Sequence, residues 1–216
     1  MLASYLMRRI GLLGGSFNPA HEGHRQLSLE AIDALALDEL WWLVSPGNPL
    51  KDEARDMAPF DARFASAEEA AAGTVIRVSD FEERAGTRYT IDTLRLLVRD
   101  CPEDRFIWLM GADSVAEFHR WKDWREIAGL LPIAVLPRPG YDGEAQAASA
   151  MGWLSRFVRP VSQAKNWTEW SPPAILFLRL KTNPASATAL RALEPNWHRR
   201  DHSEASASGN GGVKPT

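Results

Sequence analysis

Ile10-Gly11-Leu12-Leu13-Gly14-Gly15-Ser16-Phe17-Asn18-Pro19-Ala20-His21-Glu22-Gly23-His24 is the stretch whose reading decides the fold. Residues 10–13 are a short apolar run closed by two glycines. From residue 22 to 37 apolar side chains recur at Leu27, Ile32 and Leu35 among polar ones, the spacing of one helical face. The order is strand, glycine turn, helix. The same alternation predicts strands over 39–44, 74–78, 105–110 and 131–136, and helices over 60–72, 90–99, 112–119 and 124–130. Strands alternating with helical stretches of this length imply right-handed βαβ crossovers and a parallel sheet. The expected fold is therefore α/β, a doubly wound parallel sheet. Residues 137–144 read as a Pro/Gly loop, 174–180 after Pro172-Pro173 as a late strand, and 185–193 as a short closing helix. Sheets of this kind bind ligands outside the carboxyl ends of their strands, so the loops after each strand are where chemistry is expected.

Composition narrows the class. Of 216 residues, 45% are hydrophobic and 25% charged, ordinary for a soluble globular chain. Residues 1–200 are expected to form a single domain with a short C-terminal helical portion, and the Ser/Ala/Gly/Asn-rich residues 201–216 a disordered tail. Twenty-five Lys and Arg against 28 Asp and Glu give a net charge of −3, which removes the general electrostatic case for a nucleic-acid or anionic-membrane partner. Any phosphate site must be local. Cys101 is the single cysteine, so no disulfide framework or cysteine metal cluster is expected. No apolar run reaches the roughly 20 residues of a membrane span, and no signal peptide is predicted, so the expected compartment is the cytoplasm. Nine Trp against three Tyr is the oddity: indoles serve as core or as a platform for a flat ligand.

The first loop is neither a Gly-x-Gly-x-x-Gly nor a Gly-Lys-Ser/Thr loop, so dinucleotide redox chemistry and the commonest triphosphate loop lose their support. It offers glycine-freed backbone N–H groups facing a helix N-terminus, whose partial positive charge favours an anion. His21 and His24, three apart, project from one face beside that site if both lie in the first turn. Two imidazole N–H donors there can stabilise charge building on a transferring phosphoryl or nucleotidyl group, without either acting as nucleophile. The alternatives are two capping or solvated histidines, or zinc ligands, for which no nearby Cys or suitably spaced carboxylate completes a set.

Gly14 to His24 resembles the Gly-x-Phe-x-Pro-x-His-x-Gly-His signature of the nucleotidylyltransferase superfamily. Further segments are similar to those of bacterial nicotinate-nucleotide adenylyltransferases. They are Arg88-Tyr89-Thr90-Ile91-Asp92-Thr93-Leu94, and Met110-Gly111-Ala112-Asp113-Ser114 with Phe118, Trp121, Trp124 and Ile127. Arg138-Pro139-Gly140 and Ser186-Ala187-Thr188-Ala189-Leu190-Arg191 follow, and Pro46, Asn48, Pro49 and Lys51 resemble the family's loop after the second strand. In order, the matches run from Gly14 to Arg191, most of the folded chain.

The resemblance implies a Rossmann-like nucleotidylyltransferase fold and transfer of AMP from ATP to nicotinate mononucleotide, giving deamido-NAD and pyrophosphate. Mg2+ is implied as a companion of the ATP phosphates, with no tightly held protein metal. His24 is assigned to the α-phosphoryl transition state, His21 to the neighbouring phosphates, and Gly14, Gly15, Ser16 and Phe17 to backbone contacts. Ser186, Thr188, Arg191 and Arg138 fall on the ATP side, Arg191 as a guanidinium fork on phosphate. Lys51 is implied as a point charge for the acceptor. Asp113 is implied as a ribose partner or as the cap of its helix, Trp121 as the face stacked on the pyridine ring, and Thr90 and Lys122 as backbone donors to its carboxylate. Trp41, Trp42 and Trp108 read as core and Trp124 as support beneath the site. Three departures stand out: Asn18 where Asp is common, Ala187 for a second serine, and little helical length after Arg191. The oligomeric state stays open. Competing readings are a pantetheine-phosphate adenylyltransferase or cytidylyltransferase, whose acceptor pockets differ; a non-catalytic nucleotide-binding domain, against which both histidines and Arg191 argue; and a class I aminoacyl-tRNA synthetase, for which the chain is too short and too acidic.

Overall fold

A computed structural model describes residues 7–47, 57–181, 183 and 185–199. The expectations placed on Lys51, Asn48, Pro49 and residues 201–216 lie outside the described residues. Six strands, β1 (Arg9–Gly15), β2 (Glu39–Val44), β3 (Ile76–Ser79), β4 (Arg105–Gly111), β5 (Ile133–Leu136) and β6 (Ile175–Phe177), form one parallel sheet in the order β3-β2-β1-β4-β5-β6. The chain winds outward from β1 to β3, crosses back, and winds outward again from β4. The order reverses between β1 and β4, whose register pairs Ile10 with Phe106 and Leu13 with Leu109. The crevice outside their carboxyl ends is where such a sheet takes a ligand.

Both faces of the sheet are covered, which is why its strands are continuous apolar runs rather than alternating ones. Ile10, Leu12, Phe106, Trp108 and Met110 share one core with α4 (Thr90–Asp100), α5 (Ala112–Glu117) and α6 (Trp124–Leu130). Leu40, Trp42, Val44, Ile107 and Leu109 share the other with α1 (Glu22–Leu35), α2 (Phe60–Ala71) and the 3-10 segment Val161–Glu169. Each fully buried Leu or Ile contributes roughly 1.5–3 kcal/mol. Trp42 and Trp108 are core as expected, and Trp41 is partly buried against the first cluster.

Several boundaries differ from the sequence reading, each for a local reason. Helix α1 ends at Leu35 rather than 37, because Ala36 turns left-handed (φ 49°) and the Leu37 N–H closes on the Ile32 carbonyl. Strand β3 starts at Ile76 rather than 74, because the Thr74 hydroxyl holds the Ala71 carbonyl (2.6 Å) and takes the Ile76 N–H (3.1 Å) in a turn. The loop expected over 137–144 is a loop only as far as Tyr141, where α7 (Asp142–Ala147) begins. Of the late strand expected over 174–180, three residues pair with β5. The expected helix over 112–119 is α5 followed by a 3-10 turn, Phe118–Arg120. The short helices α3 (Phe81–Ala85) and α8 (Met151–Leu154) and the segment Val161–Glu169 carry too few turns to show a period. The closing helix is α9 (Ala187–Leu193).

Candidate active site

Strand β1 delivers its last residues to the crevice. A Cβ on Gly14 would come within 2.7 Å of the Trp108 ring, so the glycine is required by β4 packing as well as by the loop. The loop then places Phe17 in the left-handed region (φ 46°), uncommon for a bulky residue and sustained only where the surroundings fix it. The Phe17 ring stacks on Trp42 (4.9 Å between centroids), and the Trp42 indole N–H donates to Ser28 Oγ (2.9 Å). The other flank of Phe17 meets the His24 ring at 5.2 Å.

His21 is the N-cap of α1 and His24 its third residue, so the two are gathered as the spacing implied, one from just outside the helix. Their ring centroids lie 3.8 Å apart. The His21 backbone N–H donates to His24 Nδ1 (3.2 Å). An imidazole that accepts at Nδ1 while neutral carries its proton on Nε2, so His24 presents Nε2–H as a donor. Burial, then the neighbouring His21 and Arg138, push the His24 pKa down to about 3. Burial, then Arg138, push that of His21 down to about 4. Both rings are neutral at pH 7. Gly23 between them is required by space: a Cβ there would lie 2.9 Å from the His21 ring and 3.2 Å from the Ala185 carbonyl.

Helix α9 closes on the same loop. Ser186 caps it by accepting the Ala189 N–H (3.1 Å), and Arg191 on its last turn reaches across to the Asn18 carbonyl (2.6 Å) and to Thr188 Oγ1 (3.4 Å). The last predicted motif therefore meets the first. Arg138 pairs with Asp113 (2.5 Å) and lies over the Tyr141 ring, its charge reaching both imidazoles. Asp113 is not the cap of its helix, which is Gly111, but a first-turn residue. Its Oδ1 is buried without a hydrogen-bond partner among the described residues, and a Cβ at position 111 would lie 2.4 Å from it.

Of the residues expected to hold the acceptor, Thr90, Trp121 and Lys122 form a second group, while Asp113 lies with Arg138 in the first. Trp121 packs edge-to-face on Trp108 (6.5 Å) and Phe118 (5.4 Å). Beside it Lys122 pairs with Asp92 (2.9 Å) and sits 4.7 Å from the Tyr89 ring centroid. These contacts tie the turn after Trp121 to the N-terminus of α4, where Thr90 is the first helical residue. Trp124 packs on Phe118, the ring that Trp121 also contacts, and on Trp153. Among the described residues no group of three or more His, Cys, Asp and Glu could hold a metal ion.

Sequence reading missed two buried groups. Arg63, at the spacing of Ala67 and Ala71 on the buried face of α2, is a lone charge in an apolar stripe, and that mismatch is the signal it left. Glu82 on α3 accepts from the Thr93 hydroxyl (3.0 Å), which in turn contacts the Thr87 hydroxyl (2.8 Å). Burial raises the Glu82 pKa to about 7, with the Thr93 bond opposing.

A neutral histidine pair, a loop of backbone amides and an arginine converging at a switch point define a nucleotidyl-transfer class of protein, and the cytidylyltransferase-like family matches residues 12–193. Curated relatives include a "probable nicotinate-nucleotide adenylyltransferase" of Erythrobacter litoralis, 54% identical over 89% of this chain and 87% of its own, and one of Gluconobacter oxydans, 50% identical over 85% and 93%. The chain belongs to the nicotinate-nucleotide adenylyltransferase family. Among solved structures, Plasmodium falciparum nicotinic acid mononucleotide adenylyltransferase complexed with NaAD has the same fold (TM-score 0.60, 14% identity, 86% of this chain and 83% of that one).

Proposed function

We propose that this protein transfers AMP from ATP to nicotinate mononucleotide, forming deamido-NAD and pyrophosphate. The observation that carries the reading is the His24 tautomer: Nδ1 is occupied by the His21 N–H, leaving a neutral Nε2–H donor in the first turn of α1. In the reaction an acceptor 5′-phosphate oxygen forms a bond to the α-phosphorus of ATP while the bond from that phosphorus to the α–β bridging oxygen breaks, and pyrophosphate departs. The acceptor phosphate is already largely dianionic near pH 7, so positioning and charge stabilisation carry the chemistry and no base is required. His24 Nε2–H donates to an α-phosphate oxygen as charge accumulates there. His21, the amides of Gly14, Gly15, Ser16 and Phe17, and the cluster Arg138, Ser186, Thr188 and Arg191 hold the triphosphate. Donors fixed before the reaction act without the cost of reorganising solvent.

Magnesium enters with the substrate, as MgATP. The groups assigned to the triphosphate are N–H, hydroxyl and guanidinium groups, suited to phosphate oxygens rather than to a cation, so the ion is held by phosphates and water. On the acceptor side, Trp121 stacks on the electron-poor pyridine ring, and Thr90 and Lys122 supply backbone N–H groups to its carboxylate, with Lys51 as a further charge. Family membership supports this acceptor over phosphopantetheine. Among the described residues no helix is long and apolar enough to cross a membrane; a cytoplasmic location accompanies the proposal. With ATP labelled at the α-phosphorus, the label should appear in the dinucleotide and none in pyrophosphate. Label in pyrophosphate, or no dinucleotide, would refute the mechanism.

A further inference from the structure

Arg63 is 1% exposed, and its guanidinium is bound to backbone carbonyls: Nε donates to Ala58 (3.0 Å), Nη1 to Ser16 (2.8 Å) and Ser45 (2.7 Å), Nη2 to Pro46 (3.3 Å). Ser16 lies in the loop after β1, and Ser45 and Pro46 in the loop after β2, so one side chain joins the two segments that leave adjacent strands at the crevice. The same stretch is bonded to that loop twice more. The Ala20 N–H donates to Ser66 Oγ (3.2 Å), whose hydroxyl donates to the Arg63 carbonyl (2.9 Å), and the Ala58 N–H donates to Asn18 Oδ1 (3.2 Å).

Burying a cation costs free energy that well-packed aliphatic side chains would not, so the arginine has to be explained by the backbone it orients. Peptide planarity carries that orientation into the site. The Ser16–Phe17 bond is trans, so holding the Ser16 carbonyl toward α2 turns the Phe17 N–H the opposite way. Phe17 is the residue with the left-handed backbone and the ring that flanks His24. Arg63 fixes the peptide before it, and the Trp42 stack fixes its ring.

We propose that Arg63 is a positioning residue of the reaction: from α2 it holds the loop between β1 and α1 in the shape in which the loop amides and His24 meet the ATP phosphates. The proposal rests on the reading above that this loop binds ATP. It predicts an unequal defect: Thr90, Trp121 and Lys122 lie on α4 and the turn before α6, to which none of the Arg63 hydrogen bonds above runs, so Arg63 bears on the acceptor only through Lys51, which follows Ser45 and Pro46 in sequence.

The test uses the full chain with Arg63→Lys, which keeps the charge but cannot fork across the carbonyls, and Ser66→Ala, which removes the second bond and leaves Arg63 in place. MgATP alone and nicotinate mononucleotide alone are titrated calorimetrically into each protein, followed by steady-state rates. For a cooperatively unfolding Arg63→Lys variant the expected result is ATP affinity weakened at least tenfold, kcat lowered at least tenfold and acceptor affinity weakened by a clearly smaller factor than ATP affinity. Ser66→Ala should move in the same direction by less. Wild-type ATP affinity and kcat in folded Arg63→Lys, or equal weakening of both ligands, overturns the proposal. Should Arg63→Lys not fold, Ser66→Ala decides by the ratio of the two effects: ATP affinity weakened more than acceptor affinity supports the proposal, and wild-type values or equal weakening of both overturn it. A wild-type protein that fails to bind MgATP overturns the functional reading itself, a failure visible before any variant is made.

Discussion

At the scale of single residues, the mechanism proposed above depends on an imidazole that donates a hydrogen bond at neutral pH without becoming a cation. Burial achieves this by pushing His24 down to about 3 and His21 to about 4. The wild-type rate should therefore show no titration near pH 6.5 from either ring, and His24→Ala should lower kcat by 10²-fold or more, the magnitude of one such donor. A pH–rate limb at 6–7 that disappears in folded His24→Ala would contradict this. The same shifts set a stability slope. Between about pH 6.5 and 3 the unfolded chain binds a proton at His24 that the native state refuses, so stability rises with pH across that window, by up to about 1.4 kcal/mol per pH unit from His24. Glu82 acts in the opposite sense: its native pKa, about 7, lies above the unfolded value, so its contribution is present below about pH 4.5 and is lost as pH rises through 7. Glu82→Gln should gain thermal stability over wild type at pH 8 relative to pH 5. Equal differences at the two pH values would show that Glu82 titrates as it does in the unfolded chain.

At the scale of elements, α1 is built so that its first turn serves the site before it serves the helix. Glycine in a helix costs about 1 kcal/mol relative to alanine, so Gly23→Ala should gain a little from helix propensity. Its new Cβ nevertheless meets the His21 ring at 2.9 Å, with the Ala185 carbonyl close behind. The expected outcome is a melting temperature near wild type with a kcat reduced at least tenfold. An active Gly23→Ala enzyme would mean that His21 can move without consequence. This residue shows why the motif was legible in the sequence: Gly14 and Gly23 leave no room for a side chain, and the two histidines stand three apart at one helix start, so the requirement is written in residue types at short spacing. Arg63 was not legible in that way, because its partners Ser16, Ser45 and Pro46 are backbone carbonyls that any residue could supply. Glu82 stayed hidden because α3 is a five-residue helix with no period, and its partner Thr93 is eleven residues away.

At the scale of the whole molecule, the doubly wound order brings the first and last motifs together. Arg191 touches the Asn18 carbonyl across 173 residues of sequence, and Asp113 meets Arg138 beside the histidines. The alternation of strand and helix made the sheet and its switch point readable, since parallel strands buried on both faces leave continuous apolar runs. The late part of the chain was less readable: the segment Val161–Glu169 contacts the core through Ala164 and Trp167, at a spacing of three that a helical period of 3.6 does not reveal. The surplus of tryptophan resolves largely into core, with Trp42 and Trp167 fully buried and Trp121 partly buried against Trp108 and Phe118. In the proposed reaction this crevice joins an adenylyl group to the acid form of a pyridine mononucleotide. Pyrophosphate release from ATP, measured with nicotinate mononucleotide, its amide counterpart and phosphopantetheine as acceptors, tests it most directly. The expected kcat/KM for the acid is far above that for the amide, with no activity on phosphopantetheine; equal rates for acid and amide, or activity with phosphopantetheine alone, would overturn the assignment.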